Sequence, residues 1–304
     1  MSMILQSVRP RAVPLVILGF FIVVGVVVGL TVQPILLANF IYIGGMVTLG
    51  MAMMARVPRR KKRKWRMVSL FAVGLWMFGF VGLVARENMQ LEGFWFVLLN
   101  GGFYGAVVHY AVAKVFGPFV IGRSWCGWSC WTVMVLDLLP YKRSPGRLPG
   151  KWSWLRYGHF ALSLALVFVL WFGFSYRPEM DFSLTMWLWF VVGNALYYVV
   201  GIGLAFLLQD NRAFCKYVCP INTFLKIGAR YSLLKVAGDG SACTACGVCS
   251  RSCPMDIDVM HYAWQGQRVT STECILCGEC INRCPSDALS YRFDLDKGDG
   301  KDHL

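Results

Sequence analysis

Six apolar stretches, each close to the roughly 20 residues that cross a bilayer as a helix, constrain this 304-residue chain more than any other feature. They run over 12–31, 35–55, 67–85, 94–116, 157–175 and 185–208. In lipid every backbone polar group needs an internal partner, so runs of this kind fold as helices. Only Thr31-Val32-Gln33-Pro34 joins the first two. That predicts a tight helical hairpin with Pro34 opening the second helix, where its missing N–H does no harm. With 57% hydrophobic and only 15% charged residues, the chain is neither disordered nor an ordinary soluble enzyme.

A formal net charge of +14 on its own would admit nucleic acid as a partner. Its distribution points elsewhere. Residues 1–237 hold 24 Lys/Arg and 6 Asp/Glu (+18), whereas residues 238–304 hold 6 and 10 (−4). The segment RVPRRKKRKWR (56–66) carries eight basic residues, and the connection near 117–156 carries Arg123, Lys142, Arg143, Arg147, Lys151 and Arg156. The connections 31–34, 86–93 and 176–184 carry only Arg86 and Arg177, beside Glu87, Glu92, Glu179 and Asp181. Basic loops stay in the cytoplasm. The expectation is therefore a multi-pass protein of the inner, cytoplasmic membrane, in contact with lipid. It has six spans, both termini inside and no nucleic-acid partner. No small-residue cleavage site follows the first apolar run, so no signal peptide is expected.

Eight of the twelve cysteines form a doubled run. Cys243-x2-Cys246-x2-Cys249-x3-Cys253-Pro254 is followed by Cys274-x2-Cys277-x2-Cys280-x3-Cys284-Pro285. Three cysteines two apart wrap one face of a cubane cluster, and the fourth, before proline, reaches the other cluster. This predicts one 4Fe–4S cluster on Cys243, Cys246, Cys249 and Cys284, and a second on Cys274, Cys277, Cys280 and Cys253. Gly247 and Gly278 recur where backbone N–H groups must approach cluster sulfur. Zinc knuckles use isolated CxxC pairs instead. Residues 243–293 thus look like a bacterial-type two-cluster ferredoxin, built for single-electron transfer in a reducing compartment.

The other four cysteines belong to an internal repeat. Trp95-Phe96-Val97-x-x-Asn100-x-x-Phe103-Tyr104 matches Trp189-Phe190-Val191-x-x-Asn194-x-x-Tyr197-Tyr198 at an offset of 94. Arg123-Ser-Trp125-Cys126-Gly-Trp128-Ser-Cys130 matches Arg212-Ala-Phe214-Cys215-Lys-Tyr217-Val-Cys219 at an offset of 89, leaving five extra residues in the first copy. Parallel copies face each other across an axis along the membrane normal. The expectation is that Cys126, Cys130, Cys215 and Cys219 share one site under the cytoplasmic surface, each pair on one helical face, with Asn100 and Asn194 deeper in the same interface. Such thiols hold a metal or a further iron–sulfur centre, form redox-active disulfides, or are buried and unreactive. His109 and His159 read first as hydrogen-bonded interfacial histidines, and functionally as a quinone-facing pair or, after that, haem ligands. Asp137 reads as an interfacial residue before Pro140.

Six or so spans, two R-x-[aromatic]-C-x-[aromatic]-x-C elements and a C-terminal two-cluster ferredoxin resemble the NapH/MauN/NosR-type membrane polyferredoxins over about residues 67–293. The usual form of the paired element is CxxxCP. Cys215–Cys219-Pro220 has it, whereas Trp131 replaces the proline after Cys130. The resemblance implies electron transfer between the quinone pool, or a membrane redox partner, and a cytoplasmic or membrane oxidoreductase of a respiratory or maturation system. A metal-handling factor, using CxxxC thiols with ferredoxin-supplied electrons, is the alternative. A scaffold with structural clusters would need fewer cysteines.

The expected fold is therefore a mostly α membrane protein with an internal parallel repeat and a small C-terminal α+β module. Its units are a hairpin and basic loop (1–66), membrane repeats over 67–156 and 157–237, the two-cluster module (238–293) and a polar tail (294–304).

Overall fold

A computed structural model of the chain describes residues 12–179 and 183–296. Asp181, His303 and the end of the polar tail lie outside the described residues. Among those described, five helices are long and apolar enough to cross a membrane: α1 (Val13–Thr31), α2 (Ile35–Arg56), α3 (Arg59–Val84), α8 (Trp152–Gly173) and α9 (Leu184–Leu208). α1 and α2 pack as the expected hairpin. Close approach requires glycine there, since a Cβ on Gly44 would sit 2.4 Å from the Phe21 Cβ, the small-residue packing usual between membrane helices.

Two expected loops are not loops. Seven of the eight basic residues of 56–66 lie at Arg59 or beyond, in the first turns of α3. Straight-chain Lys and Arg are good helix formers, and Pro58 directly precedes the helix. Their face is partly buried. Arg66 is 3% exposed and pairs with Asp137 at 2.8 Å.

The connection 86–93 also departs from expectation. Asn88, Met89 and Gln90 are buried, and the extended segment folds back between the helices to reach α4 (Leu91–Leu99). Irregular backbone is tolerated at such depth only where protein surrounds it. Gly93 allows the turn, because a Cβ there would meet the Asn88 carbonyl oxygen at 2.3 Å.

The fourth expected span, 94–116, is therefore not one helix. It breaks at Asn100–Tyr104, where Gly101 takes φ +74°, and resumes as α5 (Gly105–Ile121), 17 residues long with a wide π-helical stretch over Ala111–Phe116. Its counterpart, α9, is an unbroken 25-residue helix. Asn100 accordingly lies exposed at a helix end, not in the interface with Asn194, which is 1% exposed. The Gly101-Gly102 pair breaks the first copy, and the second has Ala195-Leu196 at the matching place.

Below the helices, β1 (Leu234–Gly238) pairs antiparallel with β2 (Leu289–Phe293). Between them lie the short helices α12 (Val248–Arg251), α13 (Val259–Trp264) and α14 (Glu279–Arg283). The two cysteine runs fold alike. Positive φ occurs at Ala245 and Leu276, at Gly247 and Gly278, and at Asp256 and Asp287, each pair separated by the same interval as Cys243 and Cys274. Successive N–H groups at such turns make anion-binding concavities.

Candidate redox site

Each CxxxC element is a single helical turn followed by extended chain. Cys126 lies in α6 (Ser124–Trp128), and Cys130, with ψ 120°, precedes α7 (Trp131–Leu136). Cys215 lies in α10 (Ala213–Tyr217), and Cys219 follows it, ahead of α11 (Asn222–Arg230). The paired thiols thus straddle a helix end and do not share one helical face. Trp131 does not prolong the first turn. Its indole Nε1 donates to Asn194 Oδ1 at 2.8 Å, a role proline could not fill.

All four thiols line one cavity, together with Lys114, Trp125, Met89 and Gln90. The arginine that opens each element reaches across to the other. Arg212 Nη1 donates to the Cys126 carbonyl at 3.2 Å. Arg123 Nη2 donates to Asn222 Oδ1 at 2.6 Å, and the Asn222 amide donates to the Cys215 carbonyl. Arg123 is balanced by Glu273 and Arg212 by Asp137. Burial would raise the Asp137 carboxyl, but Arg212 and Arg66 hold it below the usual range, so it serves as a fixed counter-charge. Lys114 is different. It is 4% exposed, its ammonium lies 4.2 Å from the centroid of the Trp125 ring, and no carboxylate among the described residues pairs with it.

Burial pushes up the thiols of Cys130 and Cys219, and that of Cys215 to about 12. Left alone, they would stay protonated at neutral pH, and only a bound metal would draw off the protons.

The second cysteine run docks on this site. Trp128 Nε1 donates to the Leu276 carbonyl at 2.9 Å, and a Cβ on Gly127 would meet the Ile275 carbonyl oxygen at 2.3 Å. Glu273, next to Cys274, binds Arg123, Arg147, Arg156 and Lys226 at 2.8–3.4 Å. Burial would raise its carboxyl, yet these cations hold it well below the ordinary range. Lys216, between the second pair of cysteines, binds Asp210 and also Asp256, three residues past Cys253.

Cys253, Cys274, Cys277 and Cys280 line a common pocket, while Cys249 lies near Cys284. Cys246 is exposed. Among the described residues, no three His, Cys, Asp or Glu side chains converge as ligands of one metal ion do. In a four-iron cluster each thiolate meets a different iron, so its ligands need not converge on one point. The doubled positive-φ turns and the cysteine-lined pocket fit such clusters.

The two histidines do not form a pair. His109 is packed against Trp125, with ring centroids 4.8 Å apart, beside the four-cysteine cavity. His159 lines a separate apolar groove of about 620 Å³ between α8 and α9. Leu166, Leu188, Val192, Leu196 and Val200 edge the groove and are exposed on the bundle surface. His159 Nδ1 donates to the Val218 carbonyl at 2.9 Å, leaving Nε2 as an acceptor. Glu92, which sequence reasoning counted only as a loop charge, also lines the groove and accepts from Ser163 Oγ at 2.6 Å. Tyr197, Phe214 and Gln90 line both groove and cavity, so they form the wall between them.

A family model described as a 4Fe-4S dicluster domain matches residues 235–285. Another, a 4Fe-4S binding domain, matches residues 109–148 and 182–236, the stretches that contain the two CxxxC elements. The methylamine utilization ferredoxin-type protein MauN of Methylobacillus flagellatus is 26% identical over 222 residues, 64% of this chain and 77% of its own length. The MauN of Paracoccus denitrificans is 28% identical over 173 residues, covering 52% and 60%. An uncharacterized protein of Methanocaldococcus jannaschii is 26% identical over 203 residues, covering 58% and 76%. No solved structure matches the chain. With its apolar helices, its 4Fe-4S domains and these relatives, the chain is similar to the membrane-type polyferredoxins that include MauN, and it has an iron–sulfur electron-transfer role.

Proposed function

We propose that this protein oxidises a quinol from the membrane and passes single electrons through cysteine-bound clusters to a soluble or membrane oxidoreductase. The observation that carries the reading is the shared wall. A lipid-facing groove with two proton acceptors abuts a four-thiol cavity, which in turn abuts the second cysteine run. The quinol enters between α8 and α9, and the groove's 620 Å³ suits a ligand of that size. Oxidation to the quinone releases two protons and two electrons. His159 Nε2 accepts one proton, with Nδ1 anchored on Val218. Glu92, oriented by Ser163, accepts the other.

Cys274, Cys277, Cys280 and Cys253 would hold one 4Fe–4S cluster, and Cys243, Cys246, Cys249 and Cys284 the other. Cys126, Cys130, Cys215 and Cys219 would hold a third centre. The four-thiol cavity supports this, as does the lone buried cation at Lys114, which needs an anion. When bound, these centres take up and release one electron at a time. The exposed Cys246 marks the side where the partner docks. Both termini are cytoplasmic in this reading, which the basic start of α3 supports.

The test is anaerobic reduction by a short-chain quinol in lipid nanodiscs, followed by cluster absorbance. His159→Ala and Glu92→Gln should each slow quinol-driven bleaching at least tenfold while dithionite still reduces the clusters fully. Unchanged quinol rates in both variants would exclude the groove as the site.

A further inference from the structure

We infer that Lys114 is the residue that sets the reduction potential of the four-thiol centre, and so makes it an acceptor matched to the groove. The inference rests on the reading that Cys126, Cys130, Cys215 and Cys219 hold a cluster. Three cations surround that cavity. Arg123 is paired with Glu273 and Arg212 with Asp137, so each already faces a carboxylate within the protein. Lys114 alone has no carboxylate among the described residues. It is 4% exposed, lines the cavity, and is held by the face of Trp125 at 4.2 Å from the ring centroid. The thiols of Cys130, Cys126 and Cys219 lie near its ammonium.

A buried ammonium with no counter-ion is costly. A cluster ligated by four thiolates carries net negative charge, and that charge grows by one when an electron arrives. Lys114 therefore stabilises the reduced form more than the oxidised form and raises the potential. Its position favours this centre over the other two. The thiols near Lys114 are those of the four-thiol cavity, and the second run reaches the cavity on the side of Trp128 and Gly127.

The experiment is an EPR-monitored redox titration of the purified full-length protein, with iron counted on the same samples. Lys114→Met and Lys114→Gln remove the charge at similar volume, and Lys114→Arg keeps it. Both neutral variants should retain about twelve irons. Their four-thiol centre should titrate at more negative potential by at least 59 mV, a tenfold fall in its reduced-to-oxidised ratio for one electron. The two ferredoxin clusters should shift by less, and Lys114→Arg should stay close to the parent. An unchanged midpoint in both neutral variants, or an equal shift of all three centres, would overturn the role of Lys114. About eight irons in the unaltered protein would instead overturn the four-thiol reading, and this inference with it.

Discussion

Replacing Glu273 by Gln tests how the two-cluster module is held to the helices. The side chain is 13% exposed and pairs with Arg123 and Arg156, both 0% exposed, and with Arg147 and Lys226, which are 32% and 23% exposed. Breaking a buried pair by removing one partner costs about 3–5 kcal/mol, because the other charge is stranded. The two partly exposed cations add less than about 1 kcal/mol each. The buried arginines keep other acceptors. Arg123 retains the Thr272 carbonyl and Asn222, and Arg156 retains the Ser153 and Lys216 carbonyls. The expected loss is therefore at the low end, about 3 kcal/mol, or a docking equilibrium weakened by about a hundredfold.

Hydrogen exchange of the peptide around Thr272–Gly278, which packs on Gly127 and Trp128, reads this directly. Exchange there should accelerate by about two orders of magnitude while α1 and α2 stay unchanged. Exchange that matches the parent would show that hydrophobic docking through Ile275 and Leu276 suffices. The carboxyl is depressed in the folded state, so its contribution is complete above its ordinary value of 4.5. The contribution is lost only as pH falls below that. Docking should be insensitive to Glu273 titration between about pH 5 and 8 and weaken in stronger acid.

Three further outcomes follow from the geometry. Cys253→Ala should damage the cluster of the second run, since Cys253 lines its pocket. Selective loss of the first run's cluster, seen by EPR, would refute crossed ligation. Gly193→Leu should push the Gln90 side chain from its place, because even a Cβ there would lie 2.0 Å from its Oε1, and so loosen the inward segment 86–90. Faster proteolysis at 86–90 reports it, and a protease pattern like the parent's would refute that packing. Asp137→Asn strands Arg66 and Arg212, which are 4% and 2% exposed, and should cost about 3 kcal/mol or more. A thermal melt indistinguishable from the parent would contradict this.

The doubled cysteine run was legible because its ligand spacing is local. Three cysteines two apart dictate one wrap of backbone whatever surrounds them, and even the placement of Gly247 and Gly278 followed from that. The four-cysteine convergence was legible through repetition, although the repeat hid a difference. Gly101-Gly102 breaks one copy, and nothing in the matched Trp, Phe and Asn positions reports a break. The inward segment was read as an outside loop because Asn88, Gln90 and Glu92 are polar. Gln90 packs against Gly193 and Glu92 accepts from Ser163, both far along the chain, and local patterning carries no information about them. Asp137 was obscured in the same way, since its two arginines come from opposite ends of the membrane unit. His109 and His159 looked alike by depth, but only the packing of α8 against α9 assigns one of them to a groove.

The relay itself is tested most directly by the Cys215→Ser/Cys219→Ser double variant, assayed for iron and for quinol-driven bleaching in one preparation. The account predicts that iron falls from about twelve to about eight per chain. Dithionite should still reduce both ferredoxin clusters, while quinol-driven reduction is lost. Quinol-driven reduction at the parental rate, with these two cysteines gone, would contradict the account.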